Sequence, residues 1–127
     1  MDKKEALRIL HIEDDAAHAE LIRYTLLHSD LNCDITQVMS RKECMRALHE
    51  GAVDIVLSDN SGYDFSGLEI LETIRKKYPG LPFLLLSGSF EGKDVQALKA
   101  TGVAECLLKS DLAKLAPTIR SVMKGKT

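Results

Sequence analysis

Five short apolar runs punctuate the chain, at residues 8–12, 33–38, 55–58, 82–87 and 105–108. The first, third and fourth are apolar on consecutive positions, as strands are when helices cover both faces of a sheet. The second alternates more, as an edge strand does. Between the runs lie segments with helical spacing and helical punctuation. A first helix is expected over residues 16–28, with Asp14 or Asp15 capping its free N–H groups. The second opens at Ser40 with Glu43 three residues on, the pattern of a capping box. The third opens at Ser66 with Glu69 in the same relation. It carries Leu68, Leu71 and Ile74 at helical spacing and stops before Pro79-Gly80. The fourth is expected over residues 93–101 and ends at Gly102. The fifth has Leu112, Leu115, Ile119 and Met123 on one face, with Pro117 inside the pattern. That proline predicts a short turn at 111–115, then a main helix with Pro117 near its first turn and Gly125 at its end.

Strands alternating with helices in this way predict an α/β domain with a parallel sheet and right-handed crossovers. For five strands the common doubly wound, flavodoxin-like order is 2-1-3-4-5, with helices on both faces. Strands 1 and 3 are then neighbours. Ligands in such sheets bind beyond the C-terminal strand ends, where the strand order reverses.

Those same two strands stop abruptly at acids. Ile9-Leu10-His11-Ile12 runs into Glu13-Asp14-Asp15, and Ile55-Val56-Leu57-Ser58 runs into Asp59-Asn60. Like charges that close disfavour one another's ionisation, and a divalent cation is the usual reason a fold keeps them together. Strand 4 ends at Ser87, followed by Gly88-Ser89, and strand 5 ends at Lys109. The edge therefore gathers carboxylates, a hydroxyl and an ammonium. Mg²⁺ takes one or two carboxylates and completes its shell with water and phosphate oxygens. A carboxylate can be a nucleophile towards phosphorus. Lys109 and Ser87 could then neutralise or hydrogen-bond the phosphoryl oxygens.

Composition narrows the partners. The 127 residues suit one domain, 1–127, with a core of about 6–124. At 45% hydrophobic and 28% charged, the balance is that of an ordinary soluble globular protein. A net charge of -2 and a pI of about 6.1 speak against a nucleic-acid partner. No stretch approaches the ~20 apolar residues of a membrane span. Met1-Asp2-Lys3-Lys4-Glu5 leads into a strand and not into the apolar core of a signal peptide. The expectation is a cytoplasmic domain with no nucleic-acid or membrane partner. Cys33, Cys44 and Cys106 lack metal spacing and read as small buried or half-buried residues in a reducing compartment. His11, His18, His28 and His49 also lack ligand spacing and read as strand or helix-surface residues.

In combination, Ile12-Glu13-Asp14, Asp59 with Gly67 eight residues on, Ser87-Gly88 and Lys109 resemble a two-component response-regulator receiver domain. The resemblance spans roughly residues 6–123. It implies that Asp59 is the phospho-acceptor. Glu13 and Asp14 would hold Mg²⁺ together with Asp59 and the backbone carbonyl of Ser61. Ser87 would be the switch hydroxyl, with Gly88 beside the phosphoryl group, and Lys109 the phosphate-sensing cation. The donor would be a phosphohistidine on a sensor histidine kinase or a histidine phosphotransfer domain. An output partner would dock on helix 4, strand 5 and helix 5. Such a domain is not an enzyme in the ordinary sense, although it assists its own phosphorylation and dephosphorylation. A larger parent chain could be a histidine kinase.

Three positions depart from the receiver pattern. Gly62-Tyr63 stands where a Met/Leu-Pro pair is usual. Ser110 replaces the proline that usually follows the lysine in a cis bond. Since a cis bond before a non-proline residue costs about 2.5–4 kcal/mol, either a trans bond with an adjusted loop or a strained cis bond is expected. Cys106 replaces the usual aromatic switch of strand 5 and cannot swing a ring inward. The run Leu107-Leu108-Lys109-Ser110-Asp111-Leu112 resembles receivers of hybrid sensor kinases. The departures lend some weight to one competing reading, a pseudo-receiver acting as a phosphorylation-independent docking module, but the acids, Ser87 and Lys109 are all intact and favour an active receiver. A flavodoxin-like electron carrier is disfavoured because Glu13-Asp14-Asp15 would repel a flavin phosphate. A P-loop is disfavoured because residues 88–94 are one residue short between glycines, with Asp94 where Ser or Thr should follow the lysine.

Overall fold

The computed structural model describes residues 6–51, 53–59, 67–88 and 95–125, the side chains of residues 59, 67, 68 and 95 excepted. Five parallel strands form one sheet: β1 (Leu7–Ile12), β2 (Cys33–Val38), β3 (Ile55–Asp59), β4 (Phe83–Ser87) and β5 (Glu105–Leu108). Their order is β2-β1-β3-β4-β5, the order expected from the alternation of strands and helices. The connecting helices are α1 (Ala16–Leu27), α2 (Arg41–Glu50), α3 (Gly67–Lys77), α4 (Val95–Ala100) and α5 (Leu115–Gly125). A 3-10 turn over Leu112–Lys114 leads into α5, and Pro117 is the third residue of that helix, as its fixed φ requires.

The two periodicities explain the layers. Alternate positions of the central strands face opposite sides of the sheet. Leu10, Ile12, Val56, Phe83 and Leu85 pack with Cys44 and Leu48 of α2 and Ile70, Leu71 and Ile74 of α3. Ile9, Ile55, Leu57, Leu84 and Leu86 pack with Ile22 and Leu26 of α1 and Leu115, Ala116 and Ile119 of α5. The alternating run became edge strand β2. The helix punctuation also held where it is described. Ser40 Oγ accepts the Glu43 N–H at 3.2 Å, while Glu43 Oε1 accepts the Met39 N–H at 2.7 Å. Ser66, the expected cap of α3, lies outside the described residues.

Gly102 follows α4 with a φ of 113°. A Cβ there would run into the Arg75 side chain, whose guanidinium donates to the Thr101 carbonyl. Gly102→Ala should therefore lower stability by about 1–2 kcal/mol, read from its urea midpoint. An unchanged midpoint would contradict that.

All three cysteines are free, Cys33 and Cys44 buried and Cys106 half-buried. Burial pushes the Cys44 thiol up to about 12, against a slight downward pull from Arg41. Only the thiolate is a nucleophile. Cys44 should resist alkylation at pH 8 in the native domain and react once the chain is unfolded in urea. Native labelling at Cys44 as fast as in urea would show that the α2 face opens.

Candidate functional site

The buried polar residues collect at one edge of the sheet. Among the described residues they are His11, Glu13, Ser58 and Ser87. His11 is next to last in β1, Glu13 follows that strand, Ser58 is next to last in β3, and Ser87 ends β4. A sheet buried on both faces tolerates polar groups only where they find partners. Their restriction to the C-terminal ends marks the place where the fold spends polarity.

The register brings the candidate positions level. Ile12 pairs with Ser58, so Glu13 follows at the height of Asp59. Asp59 pairs with Leu86, and Ser87 pairs with Leu108. Lys109 comes next, its backbone N–H donating to the Ser87 carbonyl at 2.8 Å. Glu13, Asp59, Ser87 and Lys109 thus reach one edge from four strands.

Glu13 is approached from several elements. It is 1% exposed. Its N–H donates to the Val38 carbonyl at 3.0 Å, and its carbonyl accepts from Gln37 Nε2 at 2.9 Å. Oε2 accepts the Asp15 N–H at 3.2 Å. Around Oε1 stand three nitrogens from three segments: His18 Nδ1 at 3.6 Å, Lys109 Nζ at 3.8 Å and His11 Nε2 at 3.9 Å. A carboxylate this deeply buried persists where cations and N–H groups offset its lost hydration.

Local sequence explains the arrangement. Asp15 caps α1, its Oδ1 accepting from the Ala17 N–H at 3.0 Å and the His18 N–H at 3.3 Å. That cap sets His18 in the first turn of α1, over the end of β1. His11 shares the Ile9 side of β1, beneath the same helix. Lys109 approaches from the far side. Two strands, β3 and β4, separate β5 from β1, so the strands lie three spacings or ~14 Å apart. A 3.8 Å approach means that ammonium and carboxylate lean towards each other across the end of β3, where Asp59 is the last residue.

The departures resolve in part. Every peptide bond among the described residues is trans, so Lys109-Ser110 is trans. The turn closes instead through the Asp111 N–H, which donates to the Leu108 carbonyl at 2.9 Å. Cys106 packs against the α3 side of the core, its thiol raised by burial and then by Glu105 beside it. Gly88 is exposed, and a Cβ there would meet nothing within 4 Å. Ser61, Gly62-Tyr63, Gly92 and the Asp59 side chain lie outside the described residues.

Among the described residues no three His, Cys, Asp or Glu side chains form a metal-holding group, the Asp59 carboxylate not being among them. The donors at the edge fit a hard divalent cation, which needs only one or two carboxylates besides water. Both oxygens of Glu13 already face N–H or cationic groups. Asp14, half-buried beside it, fits direct ligation better.

His11 is a strand residue and His28 and His49 are exposed, as expected; what the sequence did not show is that His11 and His18 stand beside Glu13. His11 is fully buried and His18 touches the same carboxylate. The signal for His11 was present: an imidazole interrupts an otherwise apolar central strand. Ser58, also buried, carried the same signal.

The chain matches the response regulator receiver domain model over residues 9–120. It is 27% identical over 123 residues to the response regulator protein VraR of Staphylococcus aureus, covering 95% of this chain and 58% of VraR. The chain thus spans less than two thirds of the curated relatives it matches. A response regulator receiver domain protein from Clostridium thermocellum superposes with a TM-score of 0.83 at 24% identity, over 94% of this chain and 96% of that one. The Thermotoga maritima response regulator TrrA, solved in complex with Mg(2+)-BeF, gives 0.79 at 24% identity, over 91% and 98%. The RcsB response regulator of Salmonella typhimurium gives 0.85 at 15% identity, over 98% and 63%. These structural likenesses establish the fold, and no described helix is long and apolar enough to cross a membrane. With strand order, polar edge and family model in agreement, the chain belongs to the response regulator receiver domains of two-component signalling.

Proposed function

We propose that the chain accepts a phosphoryl group on Asp59, with Mg²⁺, and thereby switches a partner-binding surface on α4, β5 and α5. The donor is a phosphohistidine on a sensor histidine kinase or a histidine phosphotransfer domain. A carboxylate oxygen of Asp59 attacks phosphorus, the phosphorus–nitrogen bond breaks, and the departing imidazole keeps the electron pair and takes a proton. The product is an acyl phosphate.

The observation that carries this reading is the Lys109–Glu13 approach across the end of β3. It brings the Lys109 ammonium close to where β3 ends. A phosphoryl group adds about −1.5 to −2 charges. On Asp59 it would draw Lys109 away from Glu13 and accept a hydrogen bond from Ser87. Asp14 and Asp59, the Ser61 carbonyl and Glu13 behind them would hold Mg²⁺, which supplies neutralising charge for the phosphoryl oxygens. The groups that stabilise transfer onto Asp59 also stabilise its hydrolysis. Cys106 offers no ring to follow Ser87, so the response runs through Gly88 and the segment after it to α4.

Beryllofluoride mimics an acyl phosphate and tests this reading against the docking-module alternative. Wild-type protein should bind it only with Mg²⁺, shifting the backbone resonances of Ser87 and Lys109, and Asp59→Asn should not respond. A wild-type spectrum unchanged by beryllofluoride and Mg²⁺ would favour the pseudo-receiver.

A further inference from the structure

We infer that His18 is a positioning residue of this site: it holds Glu13 so that Lys109 can exchange that carboxylate for the phosphoryl group. This rests on the phosphoryl-accepting role of Asp59. Glu13 Oε1 has Lys109 Nζ at 3.8 Å in the unmodified protein, with His18 Nδ1 closer, at 3.6 Å. When Lys109 moves to a phosphoryl group, a side chain with no exposure loses its ammonium neighbour. An uncompensated carboxylate there would oppose the movement.

Two imidazoles stay behind, and they are not equivalent. His11 rises from β1 itself at 3.9 Å. His18 belongs to α1, where the Asp15 cap fixes its backbone. Asp15 also donates its own N–H to Glu13 Oε2. The start of α1 thus faces both oxygens: the Asp15 N–H donates to Oε2, and His18 Nδ1 stands 3.6 Å from Oε1, just beyond hydrogen-bond length. As Lys109 leaves, an imidazole N–H at His18 can close that short gap and donate to Oε1. His18 does not touch the reacting atoms; it acts through Glu13 on the mobility of Lys109. Its side chain is 13% exposed, so an apolar replacement of similar bulk fits the space.

The test compares His18→Leu, which fills the space without a donor, with His18→Gln, which keeps an N–H. Each is titrated with Mg²⁺ alone and then with beryllofluoride at saturating Mg²⁺, following the Lys109 resonances. His18→Leu should keep Mg²⁺ affinity within about twofold and lose about tenfold in beryllofluoride affinity, the worth of one hydrogen bond to a charged group formed as Lys109 leaves. His18→Gln should recover most of that loss. Equal loss in both variants would assign His18 a packing role and overturn the inference, as would wild-type affinity in His18→Leu. Should His18→Leu fail to fold, His18→Met takes its place with the same expected outcomes. Wild-type protein that binds no beryllofluoride would overturn the phosphoryl reading itself. Wild-type binding with an indifferent His18→Leu would overturn only this inference.

Discussion

Lys109→Ala should lower the stability of the unmodified domain by about 1–3 kcal/mol, besides blunting its response to a phosphoryl analogue. The lysine is 23% exposed and the carboxylate it approaches is fully buried. Removing Lys109 leaves the buried Glu13 with the Asp15 N–H and two imidazoles but without its ammonium. For a domain of this size each kcal/mol corresponds to about 3–6 °C in melting temperature. Glu13→Gln removes the charge and keeps the shape, so Lys109→Ala should cost much less in that background. The double-mutant cycle should yield a coupling of about 0.5–3 kcal/mol. Mg²⁺ affinity should not fall in Lys109→Ala, because an ammonium cannot ligate a cation. Additive losses, with coupling near zero, would mean that Lys109 and Glu13 do not interact.

Mg²⁺ should raise the melting temperature, and Asp59→Asn should shrink that increment. A ligand that binds only the native state adds RT ln(1 + [L]/Kd), roughly 1.4 kcal/mol at about ten times Kd. That is about 3–6 °C here. From the sequence, all the acids contribute repulsion at the edge. In the fold Glu13 faces Lys109, His18 and His11, so the repulsion expected without metal is that between Asp59 and the other acids of the edge. Two carboxylates ~4 Å apart repel by a few kcal/mol at an effective dielectric near 20, before relaxation. Asp59→Asn should therefore raise the metal-free melting temperature while reducing the Mg²⁺ increment. Destabilisation without metal, together with an unchanged increment, would remove Asp59 from any shared metal site.

The fold was legible because two periods are written plainly in the chain. Consecutive apolar positions marked β1, β3 and β4 as strands covered on both faces, and the alternation in β2 placed it at an edge. Ser40 with Glu43 and Pro117 with the turn before it gave helix starts that the fold kept. At α4 the helix ends at Ala100, one residue before the expected 101, and the expected start at 93 lies outside the described residues. At the site, strand ends located the positions of Glu13, Asp59, Ser87 and Lys109, because register follows from strand order. The direction of Glu13 was not legible. Its extra methylene lets it fold under the edge towards His11 and His18, and that depends on how α1 docks over β1. His11 and His18 face the Glu13 carboxylate from two elements, which leaves no ligand spacing to read in the sequence.

Intact mass after incubation with acetyl phosphate tests the phosphoryl-accepting role of Asp59 most directly. Wild-type protein with Mg²⁺ should gain one phosphoryl group. Asp59→Asn should gain none, and neither should wild type with the divalent metal chelated. Labelling that survives Asp59→Asn, or that proceeds without divalent metal, would contradict a metal-assisted phospho-acceptor at the end of β3.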